Sequence, residues 1–355
     1  METTITPPTP ADEYTPVLDL RETQEALTLA KSAFERELTE RLDLQSFYAP
    51  WALRKGTGLQ DDLAGTQEPV GFTAQFDGRD YEIVHSLAKW KRQQLHRYDL
   101  PVGRGILAEL RAIRKDEAVD ATRSIHVDQW DWERVLTADQ RTLAHLQEIV
   151  SRIYAALRTA IDDVTGAFPV LGDDGGPGGG RLPDEIPFVH TEELERLMPE
   201  LSPEEREEEL ARQEGAAFVL GIGHPLPQSG EPHDLRAVDY DDWVTPTEKG
   251  PGLNGDIIVW DDVRETALEL SSMGIRVDAE ALAEQMEIVG RDEDDTLPYR
   301  ERILDGTLPL SVGGGIGQSR VAMFLLKKAH IGEVQPSAWP DETVEAMQER
   351  GVPLL

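Results

Sequence analysis

The sequence predicts an α+β protein in which an antiparallel sheet is flanked by helices. Three observations carry this expectation. Strand-like segments cluster late in the chain around a hairpin, helix-period segments are spread between the strands, and the regular strand-helix-strand alternation of a parallel sheet is absent.

The elements follow in order. Residues 1–16 hold four prolines and little to bury, which predicts a flexible tail ahead of a single domain over residues 17–355. Across residues 18–44, Leu27, Ala30, Phe34, Leu38 and Leu42 recur at steps of three and four, the stripe of an amphipathic helix. Residues 45–50 read as a short strand whose closing proline suits an edge or an interface. A polar loop at 55–65 precedes a strand at 81–85 and a helix at 86–98, and two strands at 105–114 and 123–134 enclose a charged loop. Residues 136–168 are helical by period. The glycine-rich run near 172–180 reads as a flexible insert, because a phosphate-cradling loop needs a strand before it and a helix after it. An acidic helical stretch at 191–214, a buried strand at 216–221, and a hairpin of 256–260 with 266–272 come next. A glycine-rich turn at 313–317 then feeds an apolar helix at 321–326.

Composition excludes several functions. Sixty-eight Asp and Glu against 35 Lys and Arg leave a formal charge of -33, and no long basic run stands out, which speaks against a nucleic-acid partner. That acid excess keeps a protein in solution and says nothing about its chemistry. With no cysteine, disulfides, thiolate metal sites and cysteine nucleophiles are all out of reach, including the thiol of a built-in glutaminase. The N-terminus lacks a basic and apolar leader, and no stretch approaches 18 uninterrupted apolar residues, so no membrane segment is expected and the protein should be cytoplasmic.

Several constellations point to chemistry. The run Gly313-Gly314-Gly315-Ile316-Gly317-Gln318-Ser319-Arg320 fits neither a dinucleotide fingerprint nor a P-loop. Its missing Cβ atoms let Gly313 and Gly315 approach a nucleotide, with Arg320 at the start of a helix. Taken alone, its plainer reading is a turn capping a core helix. If residues 261–264 form a four-residue turn, Trp260 pairs with Glu265 and Asp256 faces Glu269. Two facing carboxylates repel, and a divalent cation with hard oxygen ligands, here Mg²⁺ shared with phosphates, is the usual remedy; a solvated face with a shifted register is the alternative. The period of two places Gln129 and Asp131 on one side of their strand, with His126, Asp128, Trp130 and Trp132 on the other, and puts Arg114 at the lip of a loop where a guanidinium can grip a phosphate. His85, His190 and His233 lack metal-ligand spacing and read as structural.

The segments VHSLAKWKRQ at 84–93, HVDQWDWERV at 126–135, HDLRAVDYDDW at 233–243, LNGDIIVW at 253–260, ELSSMGIRVDA at 269–279 and GGGIGQSR at 313–320 closely resemble the bacterial ammonia-dependent aspartate-ammonia ligases. The likeness runs in order from about residue 20 to the C-terminus. It implies a class II aminoacyl-tRNA synthetase-like fold, an antiparallel sheet of six or more strands flanked by helices. It also implies one catalytic domain working as a homodimer, with ATP and Mg²⁺, L-aspartate and ammonium as substrates, and no membrane or nucleic acid.

By resemblance, the helix and strand ending at Pro50 look like the dimer motif. Arg114 looks like the arginine on the α-phosphate, and Arg320 like the one that packs on adenine or its phosphates. Asp256 and Glu269 fall where the family holds Mg²⁺ and ATP. Lys91, Gln129, Asp131, Arg236, Asp241, Ser271, Ser272 and Arg276 match the substrate and nucleotide pocket. Asp61 matches the acidic residue near the reacting amide, within a loop that matches less tightly.

Overall fold

The computed structural model describes residues 14–61, 63, 67–291 and 297–355. The tail expected at 1–16 therefore falls mostly outside the described residues. Its last part is tied down, since the Tyr14 hydroxyl donates to Glu333 at 3.0 Å.

In chain order the elements are α1 (Leu20–Leu42), β1 (Leu44–Phe47), β2 (Ala52–Arg54), β3 (Gly71–Thr73), β4 (Asp80–Ile83), α2 (Ala88–Arg97), β5 (Gly105–Ile113), β6 (His126–Val135), α3 (Leu143–Ala167), β7 (Phe188–His190), α4 (Thr191–Leu197), α5 (Pro203–Glu214), β8 (Ala216–Leu220), β9 (Asn254–Asp261), β10 (Thr266–Ile275), α6 (Ala279–Ile288), α7 (Pro298–Leu304), β11 (Ser311–Gly317), α8 (Gln318–Leu325) and α9 (Asp341–Glu349). Eight strands form one sheet in the order β1-β5-β6-β11-β10-β9-β8-β7, and β2-β4-β3 form a small second sheet. The large sheet is antiparallel at its centre and gains a parallel pair at each edge, β1 with β5 and β7 with β8.

One face of the large sheet is apolar. The expected stripe of α1 is buried, and Phe34 meets Trp130 with ring centroids 4.9 Å apart. Trp130, Trp132, Ile257, Met273 and Ile316 join the same core, covered by α1, α3 and α8. Truncating a buried aromatic of this kind typically costs about 3–5 kcal/mol, so such contacts fix α1 to the middle strands. The opposite face carries the polar residues of β6, β9, β10 and β11.

Four expectations need correction. Residues 313–317 are not a turn but the body of β11, in the middle of the sheet. They are glycine because neighbours fill the space a side chain would take: a Cβ on Gly313 would overlap Glu133, one on Gly314 would overlap Met273, and one on Gly315 would overlap Gln129. The hairpin register is also different. Thr266 pairs with Asp261, Glu269 with Ile258 and Ser272 with Asp256, so Asp256 does not lie directly opposite Glu269. The turn sits one residue later than expected, with the Asp261 carboxylate accepting from the Val263 amide and Glu265 in the left-handed region at φ 53°. A bulge between Glu269 and Ser271 then adds a residue to β10. The helix expected at 136–168 begins only at Leu143, after a short 3₁₀ turn. The stretch at 191–214 is two helices, each with its own N-cap, His190 and Ser202.

The glycine-rich insert is a chain of turns docked on the β9–β10 hairpin. The Gly178 amide donates to Asp262 at 2.9 Å, and Lys327 pairs with both Asp174 and Asp262. His190 accepts from the Glu192 amide, and the His233 ring lies 2.9 Å from Glu207, so both act within the scaffold as expected.

Candidate active site

A cleft of about 520 Å³ opens on the polar face of the large sheet. Strand periodicity explains which residues enter it. On β6, Gln129 and Asp131 point into it while Trp130 and Trp132 face the core, as the alternation predicts, but His126 and Asp128, expected on the side of the tryptophans, also line the cleft at the start of the strand. On β10 the same rule separates two adjacent serines. Ser272 lines the cleft, whereas Ser271 pairs with Ile257 and Ile316 on the apolar face beside Phe34 and Leu157. Ser271 is thus not brought to the pocket. Glu269 pairs with Ile258 and so shares the cleft face with Asp256, diagonal to it rather than opposite; the bulge at Leu270 then brings Ser272 to the same face three residues later.

One end of the cleft is a buried lattice of alternating charge. Lys91, projecting from α2, donates to Asp131 and to the Gly314 carbonyl at 2.8 Å. Arg276, at the end of β10, donates its Nη1 to Asp241 and its Nε and Nη2 to Glu133, the latter at 2.8 Å. Burial opposes the charge on Arg276, but Glu133 and Asp241 outweigh it and hold the guanidinium above its usual range. Burial also pulls the Lys91 ammonium down, against the upward pull of Asp131. The ring of Tyr240 lies 5.7 Å from the Arg276 guanidinium, and burial together with Asp61 and Asp241 raises its hydroxyl pKa well above the usual range.

The other end holds arginines against carboxylates. Arg236 donates to Asp256 at 2.5 Å, and Arg320, from the first turn of α8, donates to Glu269 at 3.0 Å. Burial pushes the Asp256 carboxyl up, against Arg236 and reinforced by the Glu269 charge, and one Asp256 oxygen has no hydrogen-bond partner. Arg320 and Arg236 hold Glu269 below its usual range despite burial. Glu269 lines the cleft, whereas Asp256 does not and sits against Arg236; hard-oxygen donors with an unsatisfied buried oxygen fit a divalent cation provided Arg236 moves aside. No group of three or more His, Cys, Asp or Glu able to hold a metal occurs among the described residues, so phosphate oxygens would have to complete such a site.

Arg114 lies just past β5, with its Nη2 donating to the His85 carbonyl at 3.2 Å. Gln60 anchors the preceding loop, accepting from the His85 amide at 3.0 Å and donating to the Ile83 carbonyl at 2.7 Å. That loop sets Asp61, 2 % exposed, at the cleft wall. Of the two glycines expected at a nucleotide, Gly315 lines the cleft and Gly313 does not. Glu133 and Tyr240 escaped the sequence reading. Glu133 simply continues the alternation of Gln129 and Asp131 by one more step, a signal that was present.

This sheet is shared with solved structures. Asparaginyl-tRNA synthetase from Pyrococcus horikoshii, complexed with asparaginyl-adenylate, superposes with a TM-score of 0.65 at 14% identity, covering 90% of this chain and 70% of that one. The Entamoeba histolytica asparaginyl-tRNA synthetase, also with asparaginyl-adenylate, gives 0.59 at 15% identity over 88% of this chain and 66% of that one. The fold is that of the class II aminoacyl-tRNA synthetases. The profile of the aspartate-ammonia ligase family matches residues 21–351. Aspartate-ammonia ligases of Bacillus cytotoxicus and Bacillus cereus are each 46% identical over 342 residues, covering 96% of this chain and 100% of the relative. The chain belongs to the aspartate-ammonia ligase family.

Proposed function

We propose that residues 17–355 act as one catalytic unit making L-asparagine from L-aspartate and ammonia, with ATP as the activating substrate, and that the protein works in the cytoplasm without nucleic acid. The observation that carries this reading is the division of a single cleft. One end alternates Lys91, Asp131, Arg276 and Asp241, which suits a zwitterionic amino acid; the other presents Arg114, Arg236 and Arg320 to a polyanion.

Lys91 and Arg276 grip the α-carboxylate of aspartate, and Asp131 and Asp241 take its α-ammonium. The β-carboxylate is left facing the nucleotide. One of its oxygens attacks the α-phosphorus in line, the bond to diphosphate breaks, and β-aspartyl-adenylate forms. Arg114 and Arg320 neutralise charge on the phosphates, and Gly315 lets the nucleotide approach the sheet. Asp256 and Glu269 would hold Mg²⁺ with phosphate oxygens once Arg236 and Arg320 yield them; bound there, the ion would screen phosphate charge. Asp61, beside Gln129, accepts a proton from bound ammonium; the ammonia so formed attacks the acyl carbon, the bond to AMP breaks, and the second proton leaves to water.

The products test this. Incubation with ATP, Mg²⁺, aspartate and ammonium should give asparagine, AMP and diphosphate; ADP with phosphate would mean an acyl-phosphate route and would end the adenylate reading. No helix among the described residues is long and apolar enough to cross a membrane.

The homodimer proposed on residues 18–50 is supported by large side chains beside β1, an edge strand of the sheet. Tyr48 is 103 % exposed and Trp51 76 %. Sedimentation at micromolar concentration should show a dimer, and a fully active monomer would contradict it.

A further inference from the structure

We propose that Glu133, a residue outside the cleft, positions Arg276 for the α-carboxylate of aspartate, and that Gly313 is glycine to make room for it. The inference rests on the amino-acid end of the cleft being where aspartate binds.

Glu133 is fully buried and does not line the cleft, yet its carboxyl is held below its usual range: burial pushes it up, and Arg276, Lys91 and the Ser311 hydroxyl together outweigh burial. Such a group is costly to keep unless its charge is used. Its two oxygens take the Nε and Nη2 edge of Arg276, and Oε1 also accepts from the Ser311 hydroxyl at 2.7 Å. That leaves Nη1 as the corner aimed at Asp241 and the cleft. The guanidinium is therefore gripped from behind along its planar fork, the arrangement that fixes an arginine's orientation.

The sheet is carved to allow this. Gly313 and Gly274 pair directly across β11 and β10. A Cβ on Gly313 would overlap the Glu133 carboxylate most closely and also the Trp132 carbonyl, and one on Gly274 would lie 2.7 Å from Asn254 Cβ and 2.8 Å from Asp241 Oδ1. The two glycines thus vacate the space that the carboxylates on either side of Arg276 occupy. Gly313, although part of the glycine run that suggests a nucleotide, belongs by this geometry to the amino-acid end.

Without the Glu133 charge, Arg276 is free to turn its fork onto Asp241, withdrawing both groups from the ligand. In Glu133→Gln the KM for aspartate should rise about tenfold or more while the KM for ATP stays within about threefold, the pattern of a lost ground-state contact to one substrate. Gly313→Ala should show the same split, and adding Glu133→Gln to Arg276→Gln should raise the aspartate KM no further. Wild-type enzyme with no aspartate-dependent AMP would defeat the functional reading itself, independently of these variants. With active wild type, the inference is overturned by an unchanged aspartate KM in folded Glu133→Gln, by both KM values rising in parallel, or by Gly313→Ala raising the KM for ATP alone. Should the two variants fail to fold, Ser311→Ala removes only the hydroxyl donated to Glu133. It should raise the aspartate KM by about twofold to fivefold, as one lost hydrogen bond implies, and no change there overturns the inference.

Discussion

Arg114→Ala is expected to lower aspartate-dependent exchange between ATP and diphosphate by on the order of 10²- to 10³-fold, the usual loss when one preorganised donor to a developing charge is removed. The expectation follows from how Arg114 is held. Arg236 and Arg320 are already paired with Asp256 and Glu269, whereas Arg114 makes no ion pair with any described residue and is steered by the His85 carbonyl. Its Nε is buried without a partner. A guanidinium oriented by a neutral acceptor keeps its full charge for a phosphate. For the same reason its removal orphans no described carboxylate, so the melting temperature should change little. Arg114→Lys, which retains charge but loses the planar fork, should recover only part of the rate. Exchange within about tenfold of wild type in Arg114→Ala would sink this role.

How far the sequence reveals this site depends on whether a signal is local. The α1 stripe and the alternation on β6 are local; the first holds, with Phe34 and Leu38 buried, and the second holds for Gln129 and Asp131 against Trp130 and Trp132 but not for His126 and Asp128, which line the cleft as well. Lys91, Arg236, Asp241, Ser272 and Arg276 come from three separate segments and do meet in one cleft. The sequence blocks that carry the family likeness anticipate that gathering; periodicity does not. What local pattern misses is set by neighbouring strands. Three consecutive glycines look like freedom of the backbone, yet in β11 each makes room for a side chain of an adjacent strand, Glu133, Met273 or Gln129. The diagonal placement of Asp256 and Glu269 follows from a turn one residue later than a plain count gives, and the bulge after Glu269 then sets Ser272 rather than Ser271 against Asp256. A doublet such as Ser271 and Ser272 cannot say which member faces the ligand until the register is known, because a strand sends neighbours to opposite faces.

Asp61→Asn should separate the two chemical steps. Adenylate formation needs no proton acceptor, so exchange between ATP and diphosphate should stay within about threefold of wild type, whereas asparagine formation should fall by about 10²- to 10³-fold, the range for loss of a positioned general base. The geometry supports this division. Asp61 is buried in the cleft wall, with one carboxylate oxygen accepting from the Leu63 amide at 3.0 Å and its charge raising the Tyr240 hydroxyl. It therefore meets the cleft from the side of Tyr240, while Arg320, on α8, contacts Glu269 of β10. The pH profile adds a sign. At low pH the nitrogen donor arrives as ammonium and must lose a proton before it can attack; as pH rises, more arrives as neutral ammonia and the base matters less. At fixed total ammonium the ratio of wild-type to Asp61→Asn asparagine synthesis should thus shrink steadily with rising pH. Exchange and asparagine formation falling together, with a ratio independent of pH, would show that Asp61 shapes the site rather than moving the proton.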